Sequence, residues 1–195
     1  MEDPVFVPGR DGPTPPRAEI GGKAAALAVL SRLGAEPAAG FRVPRWVAIR
    51  AEALEAARRA STGEGPLAVH PTLRSALRRA LAEARLLDSR LAVRSSAAAE
   101  DSAAASFAGQ FDSVLGVAAG DEDALWNAVR RVWASAYSAR ATAYREHRTA
   151  DAGPAVRMAV VVQEMVDPAA AGVAFSADPV TGEHGIVVVS AVPGL

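Results

Sequence analysis

Apolar positions in this chain recur in two rhythms, one helical and one strand-like, and their order lays out the elements. The run KAAALAVLSRLG carries Leu27, Leu30 and Leu33 on neighbouring turns, which predicts a helix that opens after Gly21 and Gly22 and stops at Gly34. Residues Phe41 to Ile49 are strand-like, with Pro44 favouring an edge or a bulge, and Ala51 to Arg59 and Pro71 to Leu87 predict two helices. A short strand, LAVRSS (91–96), runs into an alanine-rich loop ending at SFAGQ, and FDSVLGV follows as another strand. From Asp121 to Arg148 an acidic first turn, late basic residues and Leu125, Val129, Val132, Trp133, Ala136, Tyr137 and Tyr144 at helical spacing predict the longest helix. Three strands then follow, MAVVVQEMV, GVAFSA and GIVVVSA, separated by DPAAA and by the turn-rich DPVTGEHG. Residues 1–18 hold five prolines and no apolar period, so they predict an irregular lead-in. The fold class expected is α+β with an at least partly antiparallel sheet, divided into a first lobe over 19–90 and a second over 91–195.

Composition narrows the chemistry. Half of the 195 residues are apolar, enough for one good core or two small ones. A net charge of -1 supplies no broad positive field for nucleic acid or an anionic membrane, so any anion site must be local. No cysteine is present, which excludes disulfides, thiolate zinc sites and a cysteine nucleophile, and fits a reducing compartment. The amino terminus has acid and proline where a signal peptide needs a basic start, and no apolar run approaches the roughly 18 residues of a membrane span. A soluble, cytoplasmic protein is expected, with neither nucleic acid nor membrane as partner.

Of the 21 basic side chains only Lys23 is a lysine. It follows Gly21 and Gly22 where a loop opens a helix, a geometry that offers unpaired N–H groups, a positive dipole end and a flexible ammonium to phosphate, or else makes an ordinary turn before a helix. Arg94, Ser95 and Ser96 can converge a guanidinium and two hydroxyls on a second anion, or Arg94 can pair at the surface with Glu100 or Asp101. Gly109 and Gln110 close the SFAGQ loop, where the glycine permits close backbone approach or makes a bulge. Gln163, Glu164, Met165 and Val166 end a buried strand and can sandwich a purine, or simply leave the sheet. Arg140, on the aromatic stripe of the long helix, is expected to snorkel outward. Asp178 before Pro179 reads as turn chemistry, no metal site is assigned, and His70, His147 and His184 are expected at the surface with neither metal spacing nor a triad.

In the order IGGKAAAL, VPRWVAIRAEAL, AVRSSAAAEDSAAASFAGQFDSVLGV, WASAYSARATAYR, VVVQEMVDPAAAGVAFSADPVTGE and VVSAVPGL, the chain from residue 20 to 195 resembles the ATP-binding domain of the phosphoenolpyruvate synthase and pyruvate phosphate dikinase family, which includes the rifampicin phosphotransferases. The resemblance implies an ATP-grasp-like nucleotide clamp, incomplete at its C-terminal end, in a phosphotransferase that uses ATP and Mg2+. It assigns Gly22, Lys23, Arg94, Ser95 and Ser96 to the phosphates, with Lys23 and Arg94 as the catalytic pair. It places Gly109 and Gln110 over the phosphates and Gln163 to Val166 at the adenine. The magnesium-binding acids, the phosphohistidine domain and the acceptor domain are expected beyond this chain, which alone is expected to be inactive. Three residues depart from the family pattern: Ala98 stands in place of threonine, Ala104 in place of an acid, and Trp46 in place of glycine. These departures leave open a noncatalytic nucleotide-binding or interaction module of the same descent.

Overall fold

The computed structural model describes residues 3–61, 67–98, 101–102, 105–106, 111–136 and 157–194. In chain order the elements are β1 (Val5–Phe6), α1 (Arg17–Gly34), β2 (Trp46–Ile49), α2 (Ala51–Ala60), α3 (Pro71–Glu83), β3 (Arg90–Ala97), β4 (Asp101–Ser102), β5 (Ala105–Ser106), β6 (Ser113–Ala118), α4 (Glu122–Ser135), β7 (Met158–Glu164), β8 (Ala170–Ala177) and β9 (His184–Pro193). They form two compact units, Met1–Met165 and Val166–Leu195.

A five-stranded sheet in the order β1-β2-β7-β3-β6 organises the first unit, and each pair of neighbours is antiparallel. Its central strand explains the uninterrupted run MAVVV: Met158 to Val162 are fully buried because both faces of β7 are covered. One face carries Val47, Ile49, Leu91, Val93, Val160 and Val162 against α2, α3 and α4, which contribute Leu54, Leu77, Leu81, Trp126, Val129 and Trp133. The other carries Phe6, Trp46, Ala48 and Val161 against Ile20, Ala24 and Ala28 of α1. Alternation along a strand decides which side each residue serves. The segments expected as separate lobes, 19–90 and 91–195, meet in this sheet, since β2 pairs with β7 and the first compact unit extends to Met165.

The amino-terminal segment is irregular over residues 7–16, but a short stretch before it is packed. Val5, Phe6 and Val7 are buried, and the Phe6 ring lies 5.9 Å from that of Trp46. Periodicity cannot reveal a two-residue strand, and Pro4 and Pro8 flank it at the sheet edge, where a missing N–H is tolerated. Strand β2 begins at Trp46, two residues beyond Pro44, and the Trp46 indole donates to Ser31 Oγ at 3.0 Å. The Trp46 side chain thereby fastens α1 to the sheet.

Helix α3 stops at Glu83, short of Leu87, because the chain turns in the left-handed region at Arg85, with φ 57°. Leu86 N–H donates to Leu81 O at 2.8 Å and Arg85 N–H to Ala82 O at 3.0 Å, the paired closure that usually places glycine at the turning residue. Its amino end is capped by His70, whose Nδ1 accepts from Thr72 N–H at 3.2 Å. Asp121 caps α4 through Ala124 N–H at 2.9 Å, and Tyr137, Arg140, Tyr144 and His147 lie outside the described residues.

The second unit is a hairpin of β8 and β9. Asp178 Oδ1 closes its turn by accepting from Val180 and Thr181 N–H at 2.7 and 2.9 Å, the role expected of an Asp before proline. Among the described residues no helix is long and apolar enough to cross a membrane.

Arg85 sets up a direct test of the α3 closure. Arg85→Gly relieves the left-handed penalty of a β-carbon and is expected to raise stability by up to about 1 kcal/mol in urea titration, with an unchanged denaturant slope. A loss of stability would show that the turn is not under that constraint.

Candidate functional site

Helix α1 is broken at Gly21, whose φ of 77° and ψ of 174° are not helical, so a short turn through Ile20 precedes the restarted helix. Two constraints select glycine there. The left-handed φ disfavours any β-carbon, and a β-carbon built at this position would lie 1.9 Å from the Ser96 carbonyl oxygen. Ser96 Oγ spans the break: it donates to Ile20 O at 2.8 Å and accepts from Ala24 N–H at 3.1 Å. A serine of β3 thus does for the restarted helix what an N-cap side chain ordinarily does from within the helix. Gly22 is buried and Lys23 half-buried at this junction.

Arg94, Ser95 and Ser96 do not converge on one point. They lie within β3, which continues through Ala97, so Arg94 and Ser96 face α1 while Ser95 faces the opposite way. Both serines are fully buried, and the Ser96 hydroxyl is engaged with α1. Arg94 remains half-buried on the α1 face, with Nη1 donating to Gln163 Oε1 at 3.4 Å. Gln163 of β7 shares that face with Val161 and Trp46, so Lys23's helix, Arg94 and Gln163 belong to one side of the sheet. Gly109, Gln110, Glu100 and Ala104 lie outside the described residues.

Beyond Gln163 the backbone is already engaged. Glu164 N–H donates to Arg45 O and Met165 N–H to Arg90 O, each at 2.8 Å, so neither amide is available to read a base. Met165 Sδ accepts from Gly116 N–H at 2.9 Å, and Gly116 in turn carries a positive φ and accepts from Arg90 Nη1. The Glu164 carboxylate faces away from Gln163 and is gripped by Arg45, whose Nε donates to Oε2 at 2.9 Å while Nη2 donates to Oε1. That guanidinium, outweighing partial burial, holds the Glu164 carboxyl below the usual carboxylate range. Val166 is exposed and belongs to the second compact unit.

Sequence reasoning missed Arg45 and Gly116, and it took Gly21 for one half of a pair rather than the break itself. The only signal for Arg45 is a charge placed between a proline and a strand. Among the described residues no group of three His, Asp or Glu side chains is gathered to hold a metal ion. A cavity of about 270 Å³ lies on the opposite side, between α3 and α4, lined by Arg74, Leu77, Leu81, Leu125 and Trp126; a broader hollow of about 710 Å³ adjoins Arg45, Trp46 and Ser31. Lys23 and Arg94 line neither.

Residues 61–195 match the family described as pyruvate phosphate dikinase, AMP/ATP-binding domain. The chain is similar to a rifampicin phosphotransferase from a Streptomyces species, at 40% identity over 206 residues that cover 91% of this chain and 23% of the relative. It is 53% identical over 98 residues to a probable phosphoenolpyruvate synthase of Methanothermobacter thermautotrophicus, covering 50% of this chain and 14% of the relative. A phosphoenolpyruvate synthase of Aeropyrum pernix is 46% identical over 106 residues, covering 54% of this chain and 13% of the relative. The chain therefore spans about a quarter or less of the length of these curated relatives. A family match over more than half of its residues, with this order of motifs behind it, makes the chain a member of the pyruvate phosphate dikinase AMP/ATP-binding domain family.

Proposed function

We propose that this chain is the ATP-binding portion of a dikinase-type phosphotransferase, built as one part of an ATP-grasp-like clamp. The observation that carries the reading is the single face on which α1, restarted just before Lys23, lies over Arg94 and Gln163. Ser96 bonds the amide of Ala24, the residue after Lys23, and Arg94 lies two residues before Ser96 on the same side of β3. One strand repeat of roughly 7 Å separates Arg94 from that junction along the strand, a spacing suited to two cations on one polyphosphate.

On this reading Lys23 and Arg94 neutralise the charge of the phosphates of ATP. Positioning and charge neutralisation supply most of the catalysis in phosphoryl transfer, so these two side chains are the catalytic pair. Ser95 and Ser96 support Arg94 from within the strand, Gly22 allows close packing beside Lys23, and Gly109 and Gln110 cover the phosphates. Gln163 and Met165 form the adenine wall, with the backbone of Glu164 between them. In the whole protein the phosphoryl group passes to a histidine of a mobile domain and then to pyruvate, a rifamycin or a related small acceptor, leaving AMP and phosphate. Magnesium would supply further charge neutralisation in such chemistry; because the described residues do not gather its ligands, no step through it is assigned to this chain.

A second reading, a noncatalytic nucleotide-binding or interaction module, draws support from Ala98 and Ala104, where the family pattern has a threonine and an acid, so the polar lining of the phosphate loop is thinner. Histidine phosphorylation of the whole protein on incubation with radiolabelled ATP separates the two: a labelled histidine favours the transferase, and its absence alongside ATP binding favours the module.

Two expectations follow for the whole protein that carries this chain. Lys23→Ala weakens ATP binding by roughly tenfold or more in calorimetric titration while adenosine binding is unchanged, because only the phosphate contact is lost. Arg94→Lys also weakens ATP, since a compact ammonium cannot reproduce the planar fork of a guanidinium. Unchanged ATP affinity in both variants would contradict the proposed phosphate site.

A further inference from the structure

Arg45 ties its own position before β2 to two stretches distant in sequence, the end of β7 and the connection from α3 to β3. It sits between Pro44 and the first residue of β2, and its fork grips both carboxylate oxygens of Glu164 at the end of β7. Nη1 donates to the carbonyl of Arg85, the left-handed residue that closes α3. Nη2 also lies 3.5 Å from Ser89 Oγ, just before β3. The backbone of Arg45 takes part too, since its carbonyl accepts from Glu164 N–H at 2.8 Å.

An exposed ion pair of this kind adds little to stability in general, and the Arg45 side chain is 45% exposed. Its consequence is geometric. A bidentate fork fixes orientation as well as distance, and here both ends of the pair are also held through their backbones. Strand alternation turns Glu164 away from the α1 face, so its carboxylate cannot touch a ligand bound beside Gln163 and Arg94. That carboxylate therefore serves as the handle by which the strand end is held. Met165, the next residue, is set by Arg90 O and by Gly116 N–H.

We propose that Arg45 is a positioning residue for the base end of the nucleotide site: through Glu164 it fixes the segment Gln163–Met165 against which the adenine of ATP rests. The inference rests on the nucleotide reading given above and adds to it a cause of base selectivity that lies outside the pocket lining.

The test pairs a nucleotide measurement with one that needs no nucleotide, both on the whole protein. In hydrogen exchange, Arg45→Ala and Glu164→Gln each accelerate the amides of Glu164 and Met165 by about tenfold while Val160 to Val162 keep their protection. In equilibrium binding, the same variants lose affinity for ATP by about tenfold and lose the preference for ATP over GTP, while inorganic tripolyphosphate binds as before. Arg45→Lys keeps the charge without the fork and behaves like Arg45→Ala in base preference. The double variant is no worse than either single one, because the two residues act as a unit. A merely structural role would lower melting temperature without altering the ratio of ATP to GTP binding, and that result overturns the proposal. Unchanged exchange at Glu164 and Met165 overturns the tether itself. A parental protein that binds tripolyphosphate and no ATP overturns the nucleotide reading separately, whatever the exchange data give.

Discussion

The hydroxyl of Ser96 and the missing side chain of Gly21 form one joint, and the arrangement of α1 over the sheet depends on it. The hydroxyl accepts from Ala24 N–H and donates to Ile20 O, so both backbone groups exposed by the break in α1 are answered inside a fully buried site. Leaving either group unanswered costs about 1–3 kcal/mol, a large fraction of the stability of a small domain. The carbonyl of the same serine leaves no room for a β-carbon at Gly21. Lys23 takes its place from this joint, and Arg94 takes its place from the strand that supplies the serine. At the other end of α1, the bond from Trp46 Nε1 to Ser31 Oγ fixes the direction of the helix.

The arrangement divides labour between the two sides of the sheet. The side facing α2, α3 and α4 holds the larger apolar cluster, with two buried tryptophans, and provides the mass of the core. The α1 side holds a smaller cluster, built from Phe6, Trp46, Ile20 and the alanines of α1, together with Arg94 and Gln163. Charged groups are tolerable there because they remain half-buried and bonded rather than sealed in. A sheet covered unequally in this way presents polar side chains between strands without interrupting the apolar packing beneath them.

Much of this was legible in the chain itself. The helices near 51–59 and 71–87, the strand LAVRSS and the run MAVVV follow from period and composition, because each buries one stripe or both faces of a regular element. What periodicity could not show depends on contacts between distant residues. The amino-terminal strand is too short to have a period, and its burial comes from Trp46 and Ile49. Arg85 ends α3 in a conformation ordinarily given to glycine, so the stop carried no residue signal. For the site, Lys23 stood out as the only lysine and Arg94 as a charge within an apolar strand. Ser95 and Ser96 were expected beside Arg94 because a loop was expected after residue 96, whereas β3 runs through Ala97 and alternation separates them. Arg45 had only its place between a proline and a strand as a signal, since its partners at Glu164, Arg85 and Ser89 are brought to it by the sheet.

The central claim, that one face of the sheet presents Lys23 and Arg94 to the phosphates of ATP, is most directly tested by a crystal structure of the whole protein with a nonhydrolysable ATP analogue. The account predicts phosphate oxygens within about 3 Å of both Lys23 Nζ and the Arg94 guanidinium, with the base beside Gln163 and Met165. Phosphates held elsewhere, as in the cavity lined by Arg74 and Trp126, would contradict it.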